Sequence, residues 1–315
     1  MTDLARYAMK WSSCCIAILS LAMMLFLGCS KSEPAPAGPK LFATPEDAGK
    51  ALYDAAKSGD TNFLLVIFGP EAKDLLVSGD AVQDKAALDK FTAAYDQMHR
   101  WEKLQNGAAL DVGADNYPFP FPLLKKQEGQ WYFDSNSAKQ EIIARRIGQN
   151  ELDTISTLSE MADAQSEYYG RTHDGAKVKQ YAQKFASDDG KQNGLYWEAR
   201  GSQPESPLGP LAAAASAEGY SKLPTPQPFH GYFFRILTKQ GDKAPGGAKN
   251  YVVNGNMTGG FAILAYPAEY RNSGVMSFFI SRDGVVFQSD LGANTTEAAK
   301  AITAFNPDNS WQAVE

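Results

Sequence analysis

Beyond residue 29 the chain has no cysteine. Cys14, Cys15 and Cys29 are the only three, so the body can form no disulfide, no thiolate metal site and no cysteine nucleophile. Histidine is nearly as scarce. His99, His173 and His230 lie on separate segments without ligand spacing, which argues against a metal site of the zinc type. There is no Gly-x-Ser-x-Gly elbow and no Gly-x-x-x-x-Gly-Lys-Ser/Thr phosphate loop. Positive charge is not in excess either: 30 Lys and Arg against 36 Asp and Glu give a net charge of -6, with the signs interspersed. Nucleic acid, whose binding needs a concentrated basic face, is not an expected partner. No cofactor is called for. Asp188-Asp189-Gly190 reads as a turn and lacks the spacing of a calcium loop. Carboxylate-only glycosidase chemistry stays open, since its two acids can come from anywhere in a sequence.

What is present is a globular composition, 44% hydrophobic and 21% charged, enough for a real core. A length of 315 residues allows about two domains. The long apolar run lies at the N-terminus. Arg6 and Lys10 precede residues 11–27, and Gly28-Cys29-Ser30-Lys31 follows, which is the order of a secretory signal. The Gly28-Cys29 junction resembles the bacterial lipobox, and that resemblance implies cleavage after residue 28 and a diacylglycerol on Cys29. A run of this length is also just enough to span a bilayer as an uncleaved anchor. Either way the body lies outside the cytoplasm, facing the periplasm, and Ser30 after the cysteine permits outer-membrane sorting. Residues 29–40 form a Pro/Ala tether.

Residues 41–135 read as a first domain. Thr44-Pro45-Glu46-Asp47 is a helix start, and Gly59 is its stop. A longer helix is expected from 84 to 101, with Leu88, Phe91, Tyr95 and Met98 on one face. Strands are expected at 109–112, 119–125 and 130–133. Helices followed by a sheet that closes on Glu128-Gly129-Gln130-Trp131-Tyr132-Phe133-Asp134 resemble the NTF2-like cone. That resemblance implies an interior pocket, for which Tyr95, His99, Trp101, Asp111 and Tyr132 are the candidate lining residues. The plainer reading makes the tyrosines core aromatics with rim hydroxyls and His99 a partner of a helix C-terminus. No acid/base constellation is legible.

Residues 136–170 read as a connecting helix, opened by a capping box at Ser137, with Gly148 as a candidate kink. Its Arg145-Arg146 pair faces carboxylates or solvent. Residues 171–315 read as a second, β-rich domain. Weak helix is expected at 181–185 and a Pro-rich loop at 204–228 containing a helical turn at 211–217. A meander follows, with strands at 232–238, 251–253, 261–266, 275–281 and 285–288. Asp283-Gly284 between the last two is a strong hairpin signal. Alternation in Tyr232/Phe234/Ile236 and in Met276/Phe278/Ile280 is expected to bury one face, and Thr295 or Thr296 to cap a last helix. A helix leading into an antiparallel sheet resembles a type IV pilin head. The expected class is therefore α+β: NTF2-like cone, connecting long helix, pilin-like antiparallel meander.

Several short runs resemble one bacterial family more specifically. They include Arg145-Arg146-Ile147-Gly148 with Asn150-Glu151, Ser206-Pro207-Leu208-Gly209-Pro210-Leu211, His230-Gly231-Tyr232-Phe233-Phe234-Arg235 and Ser273-Gly274-Val275-Met276. They resemble domain of unknown function family 2950, secreted proteins and lipoproteins of Gram-negative bacteria. The resemblance implies location and architecture and brings no activity with it. The expected function is non-enzymatic: a lipid-anchored, monomeric envelope protein that binds a protein or cell-wall glycan partner. The candidate surface is the Pro-rich loop with His230, Arg235, Tyr266 and Tyr270. The alternatives are a small-molecule or hydrolytic pocket in the first domain and a pilin-like structural subunit.

Overall fold

The computed structural model describes residues 38–201, 203–220 and 227–314. The signal, Cys29 and the tether up to residue 37 lie outside these, as do residue 202, residues 221–226 of the Pro-rich loop and residue 315. The described residues make one compact unit.

The first helix, α1 (Pro45–Ser58), forms as its sequence indicates. The Thr44 side chain accepts from the Asp47 amide, Pro45 takes the first turn and Gly59 closes the helix at φ 68°. Leu52 and the small residues Ala48, Ala55 and Ala56 are its buried face. α2 (Thr61–Phe68) starts at an Asp60 cap. After a single 3-10 turn come α3 (Lys73–Leu76) and α4 (Ala81–Gln97), the latter capped by Asp80.

The helix expected over 84–101 thus ends early. Met98 is extended at φ -167°, and residues 99 onward form β1 (His99–Leu104), paired with β2 (Gly107–Val112). His99 and Trp101 are strand residues, not helix residues. The two-residue turn Gln105-Asn106 closes the hairpin, and its six cross-strand pairs outweigh the helical period. A side chain at Gly107 would overlap the Leu123 carbonyl, so only glycine lets the hairpin and the next strand approach. The strand expected at 119–125 is also shortened, to its last three residues. Pro118, Pro120 and Pro122 offer no N–H to a ladder, leaving β3 (Tyr117–Pro118) and β4 (Leu123–Lys125), followed by β5 (Trp131–Phe133). The antiparallel sheet runs β1-β2-β4-β5, with β3 on β2. Its interior is filled by rings. Phe68 lies 4.4 Å from Phe121 and 5.2 Å from Phe133, and Phe91 lies 5.0 Å from Phe119.

α5 (Ser135–Tyr169) is one 35-residue helix running through Gly148. Asp134 caps it, not Ser137, because the Asp134 carboxylate reaches the Asn136 amide. Its first turns place Ala138, Ile142 and Ile143 in the core of the first half. Its last turns place Leu158, Met161 and Tyr168 in a second core.

The second half is an antiparallel sheet with long loops. Residues 181–185, expected to be weakly helical, form no helix, and Tyr181 makes a bridge to Met257. α6 (Gly209–Glu218) precedes β6 (Tyr232–Leu237). Four two-residue strands follow: β7 (Lys239–Gln240), β8 (Lys249–Asn250), β9 (Val252–Val253) and β10 (Asn256–Met257). Then come β11 (Ala262–Pro267), β12 (Met276–Ser281), β13 (Val286–Asp290), α7 (Thr295–Ala301) and β14 (Gln312–Ala313). The main sheet runs β14-β13-β12-β11-β6. The Asp283-Gly284 turn joins β12 to β13 in antiparallel register, as the dipeptide predicts. Burial of one face alone is not what is found. In β12, Phe278 and Ile280 are buried and so are Ser277, Phe279 and Ser281. The reason is cover on both sides: Phe305 and Trp311 pack on Phe279, while Tyr232 packs on Phe278. The last helix begins after Asn294, with Thr295 donating to the Gly292 carbonyl.

Candidate functional site

Three of the five residues expected to line a pocket come together, though not inside the sheet. Tyr95 sits in the last turn of α4, and His99 and Trp101 on β1. Tyr53 of α1 completes a column of rings, with Tyr53 to Tyr95 at 5.0 Å and Tyr95 to His99 at 3.8 Å and nearly parallel. Gly49 makes the closeness possible. A Cβ there would stand 3.1 Å from the Tyr95 hydroxyl and 3.2 Å from the Trp101 ring. Glu46, Lys50 and Asp54, successive at i+4 on the outer face of α1, form the rim of a cleft of about 700 Å³. Lys50 and Asp54 pair at 2.6 Å. Burial, then the Asp54 and Glu46 carboxylates, push the Tyr95 phenol above its ordinary range, so it stays a neutral hydrogen-bonding group. The His99 Nδ1 lies 3.0 Å from the Tyr95 carbonyl. A carbonyl only accepts, so Nδ1 is the donor in this contact.

Asp111 and Tyr132 do not join them. In the β1–β2 register His99 faces Val112, Trp101 faces Leu110 and Arg100 faces Asp111. Side chains alternate along a strand, so Asp111 points to the sheet face away from His99 and Trp101. It is buried and accepts from Arg100 Nε at 3.2 Å. Tyr132 stands on β5 under the Lys126 ammonium, 5.6 Å from its ring.

The four residues of the candidate partner surface are each held by a different neighbour. The Arg235 guanidinium donates to the carbonyls of Ala299, Lys300 and Ile302 and so caps the C-terminus of α7. His230, at φ 49°, places Nε2 2.7 Å from Glu218 and stacks on Phe229 at 4.1 Å. The Tyr270 hydroxyl donates to Asp290 at 3.1 Å. Tyr266 lies beside Phe233 at 5.5 Å.

A second constellation escaped sequence reasoning. It is a buried polar seam where the loop before α4, the middle of α5 and the loops around β6 and β12 meet. Asp80, 1% exposed, is its centre. One carboxylate oxygen accepts from the Val82 and Gln83 amides, as a cap must. The other accepts from the Tyr220 hydroxyl at 2.8 Å and the Gly231 amide at 3.0 Å. Burial first, and then this carboxylate, push the Tyr220 phenol far up. Gln83 donates to Asn150, which donates to the Ser273 carbonyl. Glu151 accepts from the Val275 and Met276 amides, both at 2.9 Å. The Arg146 guanidinium donates to the Asp74 and Leu75 carbonyls and to the Asn272 side chain, and its burial draws its pKa down. Three of the short runs named above, at 145–151, 230–235 and 273–276, converge here. Their density of polar residues between apolar stretches was the available signal.

Beside the seam, a recess of about 540 Å³ opens over the ring cluster, with Phe91, Phe119 and Phe121 as its floor and Asp84, Arg146 and Asn150 at one end. Among the described residues no cluster of three or more His, Cys, Asp or Glu is placed to hold a metal ion. Among the same residues no helix is long and apolar enough to cross a membrane. The family described as "Protein of unknown function (DUF2950)" matches residues 39–314. No curated protein and no solved structure matches.

Proposed function

The chain belongs to the DUF2950 family, and from that premise we propose a non-enzymatic, lipid-anchored envelope protein that binds a cell-wall glycan. Its architecture is taken as an NTF2-like cone over 41–135, a connecting helix over 136–170 and a pilin-head-like domain over 171–315. Cys29 bears the lipid, on the periplasmic side of the outer membrane, and the body is a monomer. The observation that carries the binding reading is the cleft at which the stacked Tyr53–Tyr95–His99 column stands beside Trp101, with His99 exposed, Tyr53 and Trp101 half-buried, and charges at the rim. Aromatic faces suit the apolar faces of sugar rings, and flanking charged groups suit their hydroxyls. Glu46 and Asp54 are both exposed, whereas a carboxyl that works as a general acid needs burial to tune it.

The test is titration of purified protein with soluble peptidoglycan fragments, followed by tryptophan fluorescence and by chromatography of the glycan. Saturable binding with intact glycan, weakened about tenfold or more in Trp101→Ala as expected for an aromatic anchor, supports the reading. Cleaved glycan, or binding indifferent to Trp101, overturns it. A second reading, a small-molecule pocket, is favoured by the recess over Phe91 and Phe121. It predicts that Phe91→Trp, and not Trp101→Ala, changes ligand binding.

A further inference from the structure

α2 is notable for what it leaves uncovered. It carries no charged residue, and its last six residues, from Phe63 to Phe68, are all apolar. Leu64, Ile67 and Phe68 face the core, but Phe63 is 57% exposed and Val66 40%. Three residues apart, the two stand on one side of the helix. Isolated exposed apolar side chains are ordinary. This pair is set apart by its neighbour, which is the start of the described chain.

The Lys40 amide donates to the Val66 carbonyl at 3.1 Å and the Ile67 carbonyl at 3.2 Å. A Cβ on Gly69, the residue after α2, would stand 3.1 Å from the Pro39 nitrogen. The segment arriving from Cys29 is therefore fastened to the last turn of α2. Nine peptide steps separate Cys29 from Gly38, a reach of at most about 32 Å. Whatever surface holds Cys29 is held close to this helix.

We propose that the Phe63–Val66 side of α2 rests on the bilayer to which Cys29 is anchored and sets the orientation of the body. The proposal rests on the lipid-anchor reading. Two side chains are too small a patch to recruit a free protein, but a short tether supplies an effective concentration of about millimolar or more. Contact then needs only to select one orientation among those that the tether allows. An uncharged helix with a bulky aromatic side chain can meet the interface without desolvating a charge.

The test uses the mature chain, whose only thiol is Cys29, coupled through that thiol to a maleimide lipid in phosphatidylcholine–phosphatidylglycerol vesicles. Phe63 or, as control, Val285, itself 43% exposed, is replaced by p-benzoylphenylalanine and irradiated. Lipid adducts at position 63 at least about fivefold above those at 285 are the expected result for an interfacial face. Equal or absent lipid adducts overturn the proposal, as do protein–protein adducts at 63, which would assign this side to a second copy. Because the tether is imposed chemically, failure of natural acylation is read separately, as palmitate that does not enter Cys29 in cells.

Discussion

The seam and the aromatic cleft hold the same kinds of side chain in opposite condition. Both contain carboxylates, a basic side chain and a tyrosine. In the seam the hydrogen-bonding capacity is turned inward: the two oxygens of Asp80 share four donors, and Arg146 is held by two carbonyls and an amide. In the cleft the corresponding groups are half satisfied, with Lys50 and Asp54 paired only with each other at the surface and His99 engaged through one nitrogen. Residue type alone does not separate a brace from a binding site. What separates them is how much bonding capacity the fold has already used.

The contrast is broken most sharply at Asp80. Asp80→Ala removes a helix cap and strands a buried hydroxyl and a buried amide, an expected loss of about 3–5 kcal/mol in urea unfolding. Asp80→Asn, which still caps, should lose clearly less. Next comes Arg146→Met, expected to cost about 2–3 kcal/mol by leaving two carbonyls and Asn272 without their donor. Arg145→Met beside it should change nothing measurable, since Arg145 pairs with Glu141 in solvent. A seam that tolerated Arg146→Met as well would not be a brace.

A smaller effect depends on pH. Burial holds the Asp84 carboxyl above its ordinary range, against hydrogen bonding from Ser78, side chain and amide, that pulls it down. The folded state therefore keeps the proton longer than the unfolded state. Its favourable contribution is complete below the unfolded-state value and is lost as pH rises through the folded-state value. Asp84→Asn should flatten that fall in a urea-midpoint series run upward from pH 3.5, and an unchanged slope would remove Asp84 as its source. The smallest effect belongs to the cleft. Lys50→Ala should shift stability by no more than about 0.5 kcal/mol, the usual worth of an exposed ion pair. If it also leaves glycan binding unchanged, the rim is ornamental and only the rings matter.

Local structure was legible where the signal was local. Thr44 and Gly59 bound α1 as their chemistry demands, and Asp283-Gly284 makes its hairpin. The end of α4 was not legible, because Tyr95 and Met98 continue a helical period that only pairing with residues 107–112 overrules. Both-face burial of β12 was hidden for a similar reason: Ser277 and Ser281 look like a solvent face until the C-terminal segment covers them. Tyr95, His99 and Trp101 stand close in sequence and meet at the cleft, while Asp111, named with them as lining of an NTF2-like interior, is turned to the other sheet face by a register that no local pattern reveals. The seam was missed altogether. Asp80, Tyr220 and Gly231 are far apart in the chain, and a buried carboxylate without a cationic partner has no local pattern.

α5 enters both apolar cores, and its middle, where Leu152 is exposed but Asn150 and Thr154 are buried, belongs to neither. That sets a rule on chain length. One residue inserted there would turn everything downstream by about 100° and advance it ~1.5 Å, tearing Asn150 and Glu151 from the loop they hold. Seven would bring the angle back to within about 20° but push the halves ~10 Å apart. No short insertion keeps both angle and distance, so between its two cores the helix works as a gear with a fixed tooth count.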